Sequence, residues 1–165
     1  MNINKFTQKS MEAVQNCEKL AYEFGNQEID QEHLLKSLID QEDGLILKLI
    51  EKMEINTAHF SNRVTEDLNK KVKVQGGDLR ISNDLNKVLI TAEDEAKAMG
   101  DEYVSVEHLF LSLLKYPNKA MKELFKEYGI TRDRFLTALS TVRGNQRVTS
   151  DNPEATYDTL QKYGT

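Results

Sequence analysis

The sequence predicts an all-α protein of about eight helices, arranged as two tandem four-helix repeats with approximate two-fold symmetry. Three observations carry this prediction. The stretch "GNQEIDQEHLLKSLI" from Gly25 to Ile39 recurs as "GDEYVSVEHLFLSLL" from Gly100 to Leu114, at a constant offset of 75 residues. Apolar residues fall at spacings of three and four through most of the chain. Prolines are confined to Pro117 and Pro153, and Trp is absent, so the apolar content is mostly aliphatic, as helix packing prefers.

In the first repeat, Met11, Val14, Cys17, Leu20, Ala21 and Phe24 mark an amphipathic helix with Thr7 as N-cap and Gly25 as stop. Its counterpart runs from Ser82 through Leu85, Val88, Leu89, Ala92, Ala96 and Met99 to Gly100. The second pair starts at the N-caps Asp30 and Ser105, each followed two residues later by a glutamate, Glu32 or Glu107, placed to favour the positive end of a helix. Leu34, Leu35, Leu38 and Ile39 then match Leu109, Phe110, Leu113 and Leu114. In the third pair Leu49, Ile50 and Met53 match Leu124, Phe125 and Tyr128, with Gly129 as a stop. The fourth opens on Ile55-Asn56 and Ile130-Thr131, an apolar residue before an N-cap in each case. Phe60, Val64 and Leu68 correspond there to Phe135, Leu139 and Val142.

The expected domain therefore covers residues 1–143, with repeat one at about 6–70 and repeat two at about 81–143. Between them, "KVKVQGGDLR" links the copies through a turn at Gly76-Gly77. After Arg143 the apolar pattern stops, and residues 144–165 read as a flexible linker. So small a repeat does not bury its own apolar face, so the copies should pack on each other and leave a groove between them.

The formal charge of -5 disfavours nucleic acid, and Lys70, Lys71 and Lys73 read as a solvated helix end. A single cysteine excludes an internal disulfide and fits a reducing, cytoplasmic setting, and no apolar run approaches the length of a membrane span. Cys17 lies on an apolar helix face and is expected in the core. Glu32-His33 and Glu107-His108 supply one histidine per helix where a helical zinc site needs two, so both histidines are expected to be structural and no metal is expected. There is no phosphate-binding glycine loop, and no acid, base and nucleophile converge, so the chain is expected to be a binding module without a cofactor and not an enzyme. A shallow apolar cleft is expected at Val88, Leu89, Val104 and Leu109, with acidic rims at Asp101 and Glu107.

The duplicated G-[ND]-x-x-[IV]-x-x-E-H-L phrase in two copies without insertions, preceded by Phe6-Thr7, resembles the Clp N-terminal domain, the double repeat at the front of several AAA+ unfolding machines. The resemblance covers about Asn4 to Arg143. The ending "LQKYGT" at Leu160 to Thr165 is similar to the lead into the first ATPase domain of the ClpB branch. The resemblance implies a substrate-binding domain of a homohexameric disaggregase that threads unfolded or aggregated clients together with a DnaK-type chaperone system. ATP and Mg would belong to AAA+ domains outside this chain, which is itself expected to be monomeric. It also implies roles in client binding for Thr7, Asp101 and Glu107, which join Val88, Leu89, Val104 and Leu109 of the expected cleft as the expected substrate-binding residues. The alternative is an adaptor-docking domain of the ClpC or ClpA type, whose ligand is a folded partner.

Overall fold

A computed structural model describes residues 3–74, 76–144 and 146–153. After a short 3-10 turn at Ile3–Lys5, the first repeat comprises α1 (Gln8–Glu23), β1 (Glu28–Ile29), α2 (Gln31–Asp40), α3 (Leu45–Lys52) and α4 (Thr57–Asn69). The second comprises β2 (Arg80–Ile81), α5 (Asn83–Ala98), α6 (Val106–Lys115), α7 (Lys119–Tyr128) and α8 (Arg132–Arg143). The all-α class and the eight expected helices are thus present, and all but α3, which follows Gly44, begin at a side-chain cap. Thr7, Asn56, Ser82, Asn118 and Thr131 each accept a hydrogen bond from the backbone N–H three residues on. α7 ends at Gly129 in the left-handed conformation, with φ 64°.

α2 and α6 form the centre. Leu34, Leu35 and Leu38 of one and Leu109, Phe110, Leu111 and Leu113 of the other are fully buried. α3 packs on α6 and α8, while α1 reaches α6 and α2 reaches α5, α6 and α7, so one core spans both repeats. Phe110 stacks on Phe135 at 4.5 Å between centroids and meets Phe125 edge-on. Equivalent serines sew the first helix of each repeat to the second: Ser37 Oγ donates to Ala13 O at 2.6 Å, and Ser112 Oγ to Val88 O at 2.7 Å.

The sequence pattern did not anticipate strands. β1 and β2 pair in parallel, with Glu28 opposite Arg80 and Ile29 opposite Ile81. Seventy-five residues away in each direction, Phe6 forms an isolated parallel bridge with Val104. The entry strand of each repeat is therefore paired with the loop strand of the other. This reciprocal exchange is the contact a two-fold arrangement of two like units produces.

The expected end of the domain at residue 143 is corrected. Val148 is fully buried, its N–H donates to Asp101 Oδ1 at 2.9 Å, and its carbonyl accepts from Glu102 N at 2.8 Å. Asp151 O accepts from Gln8 N at 2.7 Å. Residues 146–151 are thus a docked strap, and the expected linker cannot begin at residue 144. The "LQKYGT" ending lies outside the described residues. No helix among the described residues is long and apolar enough to cross a membrane.

Candidate functional site

Two buried polar clusters sit at the loops that precede α2 and α6. In each, a histidine at the third helical position accepts the N-cap backbone N–H on Nδ1: Asp30 N to His33 and Ser105 N to His108, both at 2.9 Å. Nδ1 then carries no proton, so Nε2–H is the donor, to Asn26 Oδ1 at 2.9 Å and to Asp101 Oδ2 at 2.7 Å. Burial, reinforced by the charge of Lys71, pushes the His33 pKa down to about 4, which keeps that ring neutral.

The cations of the two clusters differ between repeats. In the first, Lys71 Nζ lies 2.8 Å from Glu32 Oε2 and 3.1 Å from Asp30 Oδ2. In the second, Arg143 donates to Asp101 Oδ1 and to Glu107 Oε2, the latter at 3.3 Å. Burial alone would raise the Asp101 pKa, but hydrogen bonds from His108, Arg143 and Val148 N hold it below the usual carboxylate range. Glu107 Oε1 is buried without a hydrogen-bond partner among the described residues. The reading of the lysines as a solvated helix end is corrected at Lys71 alone, since Lys70 and Lys73 are exposed. Lys71 is half-buried in ion pairs, and Lys73 Nζ donates to Phe24 O at 2.6 Å.

In both clusters the carboxylates are held by a cation, a cap or both. Among the described residues, no group of three or more His, Cys, Asp and Glu side chains could hold a metal ion.

The structure separates the seven expected site residues. Thr7, Val88, Glu107 and Leu109 are wholly inside. Thr7 is the α1 cap, Val88 and Leu109 are core, and Glu107 is an ion-pair partner of Arg143. Asp101 and Val104 border a mixed cleft of about 590 Å³ with Asn4, Lys5, Lys97 and Tyr103. Leu89 lines a different one. The expected arrangement of an apolar cleft with acidic rims at Asp101 and Glu107 is therefore corrected: both carboxylates point inward, where Arg143 compensates their burial.

The cleft that holds Leu89 is the apolar one. It measures about 210 Å³ and lies between α1 and α5 over the paired strands. Val14 and Cys17 of α1, Ile29 and Ile81 of the strands, and Leu85 and Leu89 of α5 line it, with Gln15 and Glu18 at the side. Ile81 is 48% exposed, whereas its repeat equivalent Phe6 is buried at 6%. Burial pushes the Cys17 thiol pKa up to about 12, so it contributes apolar surface and not a nucleophile. Of this set, only Leu89 was anticipated as a site residue. Ile29 and Ile81 belong to strands two residues long, which leave no readable alternation, and the missed signal is that Phe6 and Ile81 occupy equivalent positions.

Comparison with known proteins agrees with this architecture. The model of the Clp repeat N-terminal domain family matches residues 5–128. A chaperone protein ClpB of Nitratidesulfovibrio vulgaris is 43% identical over 170 residues, covering 99% of this chain and 20% of the relative. A chaperone protein ClpB of Bacillus anthracis is 40% identical over 169 residues, covering 99% of this chain and 19% of the relative. The chain thus spans about a fifth of the length of these relatives. The crystal structure of the Hsp104 N-terminal domain from Candida albicans superposes with a TM-score of 0.79 at 26% identity, covering 91% of this chain and 99% of that one.

Proposed function

Since the chain belongs to the Clp repeat N-terminal domain family, we propose that it is the client-binding domain of a ClpB-type, ATP-driven disaggregase. It would hold exposed apolar segments of unfolded or aggregated proteins in the α1–α5 cleft. The observation that carries this reading is the cleft itself: six apolar side chains line it, with Cys17, Ile29, Leu85 and Leu89 as its buried floor, Val14 partly exposed, and Ile81 half exposed where the equivalent Phe6 is covered.

A cleft this small accommodates one or two apolar side chains, and the bound segment loses conformational freedom, so capture of each segment is weak. Weak capture suits a domain that must release its client. Several such domains on a hexameric ring would raise the local client concentration by avidity before a threading step powered by ATP and Mg in domains outside this chain. A DnaK-type system would act on the same clients. Thr7, Val88, Asp101, Val104, Glu107 and Leu109 would support the cleft by fixing α1, α5 and the strands, with Leu89 as the direct contact among the expected residues.

The test is an NMR titration of the chain with a permanently unfolded polypeptide and, separately, with the folded form of the same protein. Shifts are expected at Val14, Ile81, Leu85 and Leu89 with the unfolded ligand alone. Ile81→Asp should lower affinity roughly tenfold without loss of fold, because it sets a charge at the cleft mouth. Absence of shifts with the unfolded ligand would overturn the reading and leave docking of a folded adaptor as the alternative.

A further inference from the structure

The two strand pairs are built alike and covered unlike. β2 gives Arg80 N–H to Gln27 O at 3.1 Å and Ser82 N–H to Ile29 O at 2.9 Å. In a parallel ladder such bonds leave the N–H and C=O of the residue between them, Ile81, directed to the opposite edge of the strand. The matching pair obeys the same rule: Val104 N donates to Lys5 O and Thr7 N to Val104 O, so Phe6 turns its own N–H and C=O outward.

The outer edge beside Phe6 is occupied from within the chain. Gln8 is the first residue of α1, so its N–H has no partner in the helix, and it donates instead to Asp151 O at 2.7 Å. Gln8 Nε2 also reaches Asp151 Oδ2 at 3.3 Å, and Phe6 is buried. The strap thus lays its main chain on that edge. At the β2 end the equivalent residues are Asn83 and Ile81. Asn83 is the first residue of α5, and neither its N–H nor the outward N–H and C=O of Ile81 meets a partner among the described residues. The chain before β2 bonds elsewhere, Val74 N donating to Gly25 O, and Ile81 stays half exposed. Ile29 and Ile81 stand opposite in register, so their side chains share a face, and both line the apolar cleft. The open edge and the cleft are therefore one continuous surface.

Resting on the client-binding reading, we infer that an extended client segment adds to β2 as a further, antiparallel strand, bonded through its main chain and placing one apolar side chain over the cleft. The segment residue opposite Ile81 exchanges both hydrogen bonds with it, and its side chain falls on the same face as that of Ile81, beside Leu85 and Leu89. The carbonyl two residues earlier in the segment accepts from Asn83 N–H, as Asp151 O does from Gln8 N–H. Main-chain bonds carry no sequence information, so the edge takes any extended segment that supplies an apolar residue at one position. That is how a cleft of about 210 Å³ serves clients of unrelated sequence.

The probe is a short acetylated peptide of serine and lysine around one central leucine, which fixes the register. Titrated by NMR against the whole chain, it should shift Ile81, Asn83 and Leu89 and slow hydrogen exchange of the Ile81 and Asn83 amides. N-methylation of the leucine removes the donor to Ile81 O and should weaken binding roughly tenfold. N-methylation of the following residue, whose N–H faces away from β2, should change it by less than about twofold. On the protein side, Asn83→Pro deletes one donor. Proline suits the first helical position, and Ser82 already has the extended backbone it requires, φ -65° and ψ 156°. This variant should bind the unmodified peptide roughly fivefold more weakly while the Ser82 amide stays protected.

Equal affinities for the two methylated peptides, or a greater loss for the second, would overturn strand addition. Shifts persisting at Leu89 in that case would leave side-chain capture in the cleft standing without it. Failure of the peptide to bind where an unfolded polypeptide still shifts Leu89 would likewise overturn strand addition alone. Failure of both ligands would remove the client-binding reading as well.

Discussion

Phe6 stands opposite Val104 across a parallel bridge, with Val104 N donating to Lys5 O and Thr7 N to Val104 O. The start of the first repeat is thereby completed by the second, as Ile81 is completed by Ile29. Neither repeat should then unfold alone. Phe6→Ala is expected to cost ~3 kcal/mol, as for a buried aromatic, and to shift a single transition of the whole chain. Calorimetry checks this: separate transitions for the two halves would show that the reciprocal strands do not couple them.

Arg143 compensates two buried carboxylates at once, so Arg143→Ala should be far more damaging than loss of a surface ion pair. It leaves Asp101 and Glu107 charged without a cation, a change that typically costs about 3–5 kcal/mol. Adding Glu107→Gln should restore part of the loss, which urea denaturation of the single and double variants measures. A carboxyl held below its unfolded pKa stabilises the fold above that value and loses its contribution as pH falls through the folded one. Asp101 should therefore contribute to unfolding of the parent only in strong acid, and Asp101→Asn should flatten that limb.

His33 acts in a milder range. Its folded pKa of about 4 lies below the ordinary value of 6.5, so the unfolded chain binds the extra proton first. The stability contributed by the neutral ring is fully present above pH 6.5 and is lost progressively as pH falls toward 4. For a fully buried ring the total is on the order of 3 kcal/mol. Urea midpoints measured between pH 7 and 4.5, with NMR titration of the ring protons, test it. A titration near 6.5 would place His33 in solvent and contradict the cap geometry.

The parts of this fold that were legible in the sequence are those written locally. Thr7, Asn56, Ser82 and Thr131 cap the helices expected of them because the capping bond spans three residues. The histidines behave as structural residues because each sits at the third position behind its own N-cap. Contacts made across the chain were less accessible. Leu68 was aligned with Val142, yet the residue 75 positions on is Arg143, and that exchange of an apolar side chain for a guanidinium builds the second polar cluster. Asp101 and Glu107 looked like rim charges because their compensating cation lies 42 and 36 residues away. Val148 was hidden in a polar stretch, where one apolar residue has no period to betray it.

Cys17 offers a probe of the cleft from within. The thiol is 4% exposed, its Sγ donates to Ala13 O at 3.4 Å, and its pKa is pushed up to about 12, so thiolate is scarce at neutral pH. Alkylation of the native chain at pH 8 should be slower than that of a free cysteine by orders of magnitude, and should rise with urea along the same curve as loss of helix. Reaction ahead of that curve would mean that α1 separates from α5 before the core opens. Were that so, an apolar ligand seated between Val14 and Leu89 should suppress the early reaction while leaving the urea midpoint of the helices almost unmoved.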